Sequence, residues 1–205
     1  MPATLTAESY SAGINYLKNR DPDFACVLNR YGQPPMWARK SGFATLVQII
    51  LEQQVSLASA RAVFSRLQET VVPLTPSEFF LIDDKALKAI GFSRQKASYC
   101  RHLSKSILSG EFNLHELNKM DDDTARSELV KIKGIGQWTA DIYLLTALKR
   151  SDIWPRGDLA LATAVQALKK LPCRPSPEKL MSMSCKWKPW RAVAARILWH
   201  YYLSS

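Results

Sequence analysis

The chain has 205 residues and little that would suit disulfide or metal chemistry. Its four cysteines, Cys26, Cys100, Cys173 and Cys185, form no CxxC pair and show no zinc spacing, so they are expected to be reduced and structural. The three histidines, His102, His115 and His200, also stand at no ligand spacing. No apolar run approaches the ~20 residues that a membrane-spanning helix requires. The opening stretch MPATLTAESYSAGINYL lacks a basic segment followed by a long apolar core. The expected location is therefore the cytoplasm or nucleoid of a prokaryote, or the nucleus of a eukaryote, with no membrane partner. Alternating strand patterns are nearly missing, which argues against a sheet. Acidic residues are in deficit: 18 Asp and Glu face 28 Lys and Arg, for a net charge of +10. Such an excess suits a polyanionic partner, with nucleic acid ahead of an anionic surface.

What the chain does have is helical periodicity and, at 47% hydrophobic residues, enough apolar side chains for a substantial core. The expected fold class is all-α. Leu5 to Asn19 reads as a helix capped by Thr6, and Asp21-Pro22-Asp23 restarts one towards Arg30. Gly32 to Pro35 is a loop beside which Trp37 packs. Phe43 to Leu51 is apolar on too broad a stripe for a surface helix and is expected to be buried. It ends at Glu52-Gln53-Gln54, and a further helix runs from Leu57 to Glu69. Leu87 to Leu108 is broken by Gly91, and the helix after the break is basic through Arg94, Lys96, Arg101 and Lys105. Of these, Arg94 and Lys96 near the helix start are candidates to line a nucleic-acid backbone. Asp121-Asp122-Asp123 opens another helix, where acids suit the macrodipole. These acids lack EF-hand spacing. Leu159 to Leu171 and Trp190 to Tyr202 complete the series.

The most informative stretch is Leu129 to Leu161, LVKIKGIGQWTADIYLLTALKRSDIWPRGDLAL. A helical run breaks at Gly134-Ile135-Gly136 and resumes from Gln137 to Lys149. The two glycines make φ > 0 available for a tight turn, with Ile135 anchoring it in the core. The N–H groups that open the second helix, with Lys131 and Lys133 nearby, suit a phosphate. On its own, this remains compatible with an ordinary helical hairpin. Asp158, 22 residues after Gly136, follows Pro155 and Gly157 at a helix start, where it reads as an N-cap.

The pattern GIGQWTA, then WPRGDLAL, then Trp187-Lys188-Pro189-Trp190-Arg191 leading to Trp199, resembles the helix-hairpin-helix DNA glycosylases. Within them it is most similar to the DNA-3-methyladenine glycosylase II (alkylpurine) branch, from about Gly42 to Tyr202. The resemblance implies one glycosylase domain of two helical lobes flanking a DNA-binding cleft, roughly 42–150 and 1–41 with 151–205. It implies a monofunctional enzyme of base excision repair that flips alkylated purines such as 3-methyladenine out of double-stranded DNA. Asp158 would be catalytic. Trp138 and Trp199, with Tyr143 and Trp154 near, would form the base pocket. Trp138 stands where strand-cleaving relatives carry a lysine. The hairpin residues Lys131, Lys133, Gly134, Ile135, Gly136, Gln137 and Thr139 would grip the backbone. Gln54 matches the position that plugs the gap left by the flipped nucleotide, with Gln53 in support. Backbone carbonyls of Val130, Ile132 and Ile135 would hold a monovalent sodium or potassium ion. Some relatives carry an iron–sulfur cluster on four clustered C-terminal cysteines. Only Cys173 and Cys185 lie near that end, so no cluster and no other cofactor is expected. A monomer is the expected state. The alternatives are a related glycosylase of other base specificity and a non-catalytic DNA-binding module, against which Asp158 speaks.

Overall fold

The computed structural model describes residues 4–205. Its helices are α1 (Ala7–Arg20), α2 (Pro22–Tyr31), α3 (Phe43–Glu52), α4 (Leu57–Thr70), α5 (Pro76–Leu81), α6 (Asp84–Ile90), α7 (Arg94–Leu108), α8 (Asp122–Val130), α9 (Gln137–Thr146), α10 (Leu159–Leu168), α11 (Pro177–Ser184) and α12 (Arg191–Ser204). Among the described residues the only strand-like pairing is an isolated bridge between Thr4 and Arg150. The chain is all-α. Most helices begin where a side chain can accept an orphan N–H. Thr6 and Ser9 form a capping box on α1, and Asp21 caps α2. Thr75, Asp83, Ser93 and Asp121 cap α5 to α8 in the same way, and Ser176 caps α11.

The chain divides into two compact units, Arg39–Tyr143 and the residues through Ala38 with Leu144–Ser205. In the first, α3 is the buried centre. Leu46, Val47, Ile49 and Ile50 are fully enclosed, and the helix packs against α4 and α7. Each such side chain contributes about 1.5–3 kcal/mol by leaving water. Phe43, Phe79 and Phe92 follow one another at 5.9 and 5.8 Å between ring centroids, which ties α3 to α5 and to the turn that precedes α7. Glu52, at the end of α3, is buried and takes both guanidinium N–H groups of Arg39 at 3.0 Å. Lys96 donates to the Leu51 carbonyl at 2.7 Å and so completes the C-terminus of α3.

In the second unit α12 is the hub, packed against α10, α2 and α1. Its Ala192 to Ala195 stretch is fully buried, and the small side chains let neighbouring helices approach closely. Trp187 stacks between Phe24 and Trp154, at 5.1 and 5.3 Å. Trp190 lies against Gly13 of α1, where even a methyl group would come within 2.8 Å of the indole. Trp187 and Trp190 thus both serve packing. Arg196 is completely buried and donates to the carbonyls of Met36, Ala192 and Leu145 at 2.6–2.9 Å.

Candidate functional site

In the first unit the site is the hairpin of α8 and α9. Gly134 takes φ +92°, with the Tyr99 ring pressed so close that an added Cβ would lie 2.1 Å from Cγ. Gly136 is not in the positive-φ region, so the expectation that both glycines use that freedom holds only for Gly134. Gly136 instead opens α9, and its carbonyl accepts from Ala140 N–H at 3.0 Å. Ile135 is buried and its N–H closes the turn onto Ile132 O at 3.0 Å. Lys131, Lys133, Gly136 and Gln137 are exposed around the α9 start, as a phosphate-facing helix N-terminus requires. Lys131 is held by Glu128 at 2.5 Å. Between the helices, Arg126 bonds the fully buried Asp141 at 2.6 Å and also Asp123. Burial works against the Arg126 charge, but the two carboxylates outweigh it and hold its pKa above the usual value.

The junction between α3 and α4 meets this hairpin. Gln53 Nε2 donates to Gly134 O and to Thr139 Oγ1, both at 2.9 Å. Gln54 is exposed at φ +56°, a strained conformation for a non-glycine residue. Val55 and Leu57 beside it are also exposed. The structure thus brings Gln53, Gln54 and the turn together. Two of the residues expected at DNA have their side chains engaged within the protein. Thr139 is buried and its hydroxyl is taken by Gln53, so its side chain serves the joint. Lys96 spends its ammonium on Leu51 O, while Arg94 remains exposed at the α7 start.

Tyr143 is fully buried, and its hydroxyl accepts the Gly42 N–H at 3.0 Å. Burial pushes its pKa up despite that bond. It floors a recess of about 490 Å³ with Gly42, Phe43, Phe112, Asn113 and His115. Trp138 is half-buried near the start of α9.

In the second unit Asp158 is the N-cap of α10. Its Oδ1 accepts Leu161 N–H at 2.9 Å and Trp199 Nε1–H at 3.3 Å. Gly157, at φ +75°, bends the loop into that cap. The loop is fastened to α12 by Arg191, whose guanidinium takes both carboxylate and carbonyl oxygens of Asp152 at 2.8–2.9 Å. Ala192 N–H adds a bond to Ser151 O at 3.0 Å. Sequence reasoning gave Arg191 no task. An arginine at the start of a helix, 39 residues from its partner, carries no local signal. Trp154 is the aromatic expected near the base pocket on the acid loop. It is buried against Trp187, and so belongs to the core rather than to a pocket. Trp199 is half-exposed and meets Trp37 edge-on at 6.5 Å.

Among the described residues no group of three or more His, Cys, Asp and Glu could hold a metal ion. Cys26, Cys173 and Cys185 are exposed and Cys100 is buried. Among the described residues no helix is long and apolar enough to cross a membrane.

The chain as a whole is similar to known proteins. The family model of the HhH-GPD superfamily base excision DNA repair proteins matches residues 47–189. A DNA-3-methyladenine glycosylase of Schizosaccharomyces pombe is 28% identical over 78% of this chain and 72% of its own. A Bacillus subtilis protein with the provisional name of DNA-3-methyladenine glycosylase is 27% identical over 85% of this chain, which spans 64% of that protein's length. The solved structure of the Schizosaccharomyces pombe 3-methyladenine DNA glycosylase in complex with abasic DNA superposes with a TM-score of 0.86 at 26% identity. That match covers 92% of this chain and 95% of the other.

Proposed function

Because the chain belongs to the HhH-GPD superfamily of base excision DNA repair proteins, we propose that it is a monofunctional DNA glycosylase that removes alkylated purines such as 3-methyladenine from duplex DNA. The observation that carries the reading is the anchored carboxylate of Asp158, held on Oδ1 by a helix N–H and an indole N–H. Pure binding needs no such acid. The names of the relatives point the same way.

The proposed chemistry begins with base flipping, since the glycosidic bond of a stacked base is out of reach. Exposed Gln54 fills the gap, and the open start of α9 with Lys131, Lys133 and Gln137 holds the backbone. An alkylated purine carries a formal positive charge. As its bond to C1′ lengthens, the electron pair leaves with the base, which becomes neutral, and positive charge grows on the sugar. The Asp158 carboxylate stabilises that charge, as preorganised groups do where charge develops. Water then adds to C1′ and gives up its proton, which leaves an abasic strand. Partly exposed aromatic faces, Trp199 in one unit and Trp138 in the other, each suit an electron-poor ring. A tryptophan has no amine to form a Schiff base, so the backbone is not cut.

A monovalent cation fits the turn. Val130 ends α8, where a helix leaves its last carbonyls without intrahelical partners, and Ile132 O accepts the Ile135 N–H. With the Ile135 carbonyl these are hard oxygen donors, and a bound ion would supply positive charge beside a phosphate. The reading needs no other cofactor, no iron–sulfur cluster and no partner but DNA, with the protein acting as a monomer.

The test is incubation with methylated duplex, chromatography of the released bases and electrophoresis of the strand. Free 3-methyladenine should appear while the product stays full length until alkali is added, and borohydride should trap no adduct. Retention of every base would leave only a binding module, and a trapped adduct would overturn the monofunctional assignment.

A further inference from the structure

Trp37 had no role in the sequence reading beyond packing by a loop, yet its backbone is held at φ +45°. Left-handed backbone at a bulky residue costs about 1–3 kcal/mol and persists only where its surroundings enforce it. Those surroundings are explicit. Buried Arg196 donates to Met36 O at 2.6 Å, one residue earlier. The Tyr10 hydroxyl lies 3.0 Å from Pro34 O and 3.3 Å from Pro35 O. Arg196 is held by the carbonyls of Met36, Ala192 and Leu145, with the Tyr10 ring centroid 5.8 Å from its guanidinium. The segment Pro34–Trp37 is thus pinned from two helices, α1 and α12. The pinned ring meets Trp199 edge-on at 6.5 Å and 72°, and His200 at 6.4 Å. His200 is itself fixed by a 2.9 Å bond to Tyr31 O. The Trp199 indole N–H in turn bonds Asp158 Oδ1.

We propose that Trp37 is a positioning residue of the active site: its ring sets the angle of the Trp199 indole, and through that N–H the orientation of the Asp158 carboxylate. The inference rests on the glycosylase reading for the meaning of Asp158, but its geometry can be tested apart from it. An indole turns freely about two bonds unless a neighbour blocks it. On its open side Trp199 is half-exposed, so Trp37 supplies the barrier that the core does not. The backbone strain is the cost of placing that barrier.

The test uses Trp37→Gly, because glycine accepts φ +45° without strain and the ring is removed with the backbone spared. Trp37→Phe keeps an aromatic edge. In single-turnover excision of 3-methyladenine at saturating protein, Trp37→Gly should slow base release roughly tenfold to a hundredfold, the worth of a hydrogen bond to a charged group. Its affinity for abasic duplex should stay within about twofold. Trp37→Phe should regain most of the loss. In a Trp199→Phe background, which lacks the N–H, Trp37→Gly should have almost no further effect. Independently of activity, the Trp199 indole N–H resonance should shift and exchange faster with solvent in Trp37→Gly. An equal loss in both backgrounds, or an unchanged indole resonance, overturns the proposal. If the wild type releases no base, the glycosylase reading falls, and the indole measurement alone decides whether Trp37 positions Trp199.

Discussion

At Gly134 the backbone sits at φ +92° against the Tyr99 ring, while nothing lies within 4 Å of the Cβ position at Gly136. Gly134→Ala should therefore cost about 2–5 kcal/mol, the sum of left-handed strain and overpacking. Gly136→Ala should stay within about 0.5 kcal/mol, as at an ordinary surface position. Chemical denaturation of both variants checks this, and equal midpoints would mean that the turn relaxes around either methyl group. The turn itself was readable from Gly-Ile-Gly. Which glycine carries the strain was not, because Tyr99 approaches from a helix 35 residues away in the chain. The same limit applies to other single residues. Thr139 and Lys96 are polar and looked available, but Gln53 and Leu51 O claim them from distant elements. Trp154 is aromatic beside the acid loop, and only the fold places Trp187 against it.

Helix starts were the best-read features, since a cap lies beside the helix it opens. Thr6, Asp21 and Asp158 each accept an N–H from within three residues. Asp21 also shows what local reading misses. Beyond capping α2, its carboxylate takes Lys169 at 2.8 Å, the Trp187 indole N–H at 3.1 Å and Lys186 at 3.1 Å. Burial alone would raise its pKa, but the hydrogen bonds from Lys169, Trp187 and Lys186 outweigh it and lower the value from 3.8 to about 2. A depressed folded-state pKa stabilises the fold fully above the unfolded value and loses that contribution as pH falls through the folded one. Asp21→Asn should thus be less stable than wild type at neutral pH, with the gap closing between pH 3.8 and about 2. Urea titrations at several pH values measure it. A gap constant across that window would show that the three donors do not favour the ionised form.

The net charge of +10 is the property most plainly written in the sequence, and family membership gives it a polyanionic partner. Each phosphate that the protein neutralises should contribute about −0.9 to the slope of log K against log salt on duplex DNA. Fluorescence titrations from low to moderate salt should show that steep loss, and binding indifferent to salt would remove the electrostatic footprint. The all-α class and the hairpin-to-acid-loop order were readable because helical period and turn residues are local. How Arg191 fastens the acid loop, and how Arg196 holds the segment that sets Trp37 beside Trp199, was not, since each acts on a residue far off in the chain. What that bracing is for comes down to Asp158. Asparagine still offers an oxygen to Leu161 N–H, so Asp158→Asn should keep the α10 cap and the fold. Its neutral amide cannot balance a cationic sugar. Single-turnover release of 3-methyladenine by Asp158→Asn should fall by roughly 10²–10³ with duplex affinity unchanged or tighter. Release within a few-fold of wild type would make Asp158 a helix cap and nothing more.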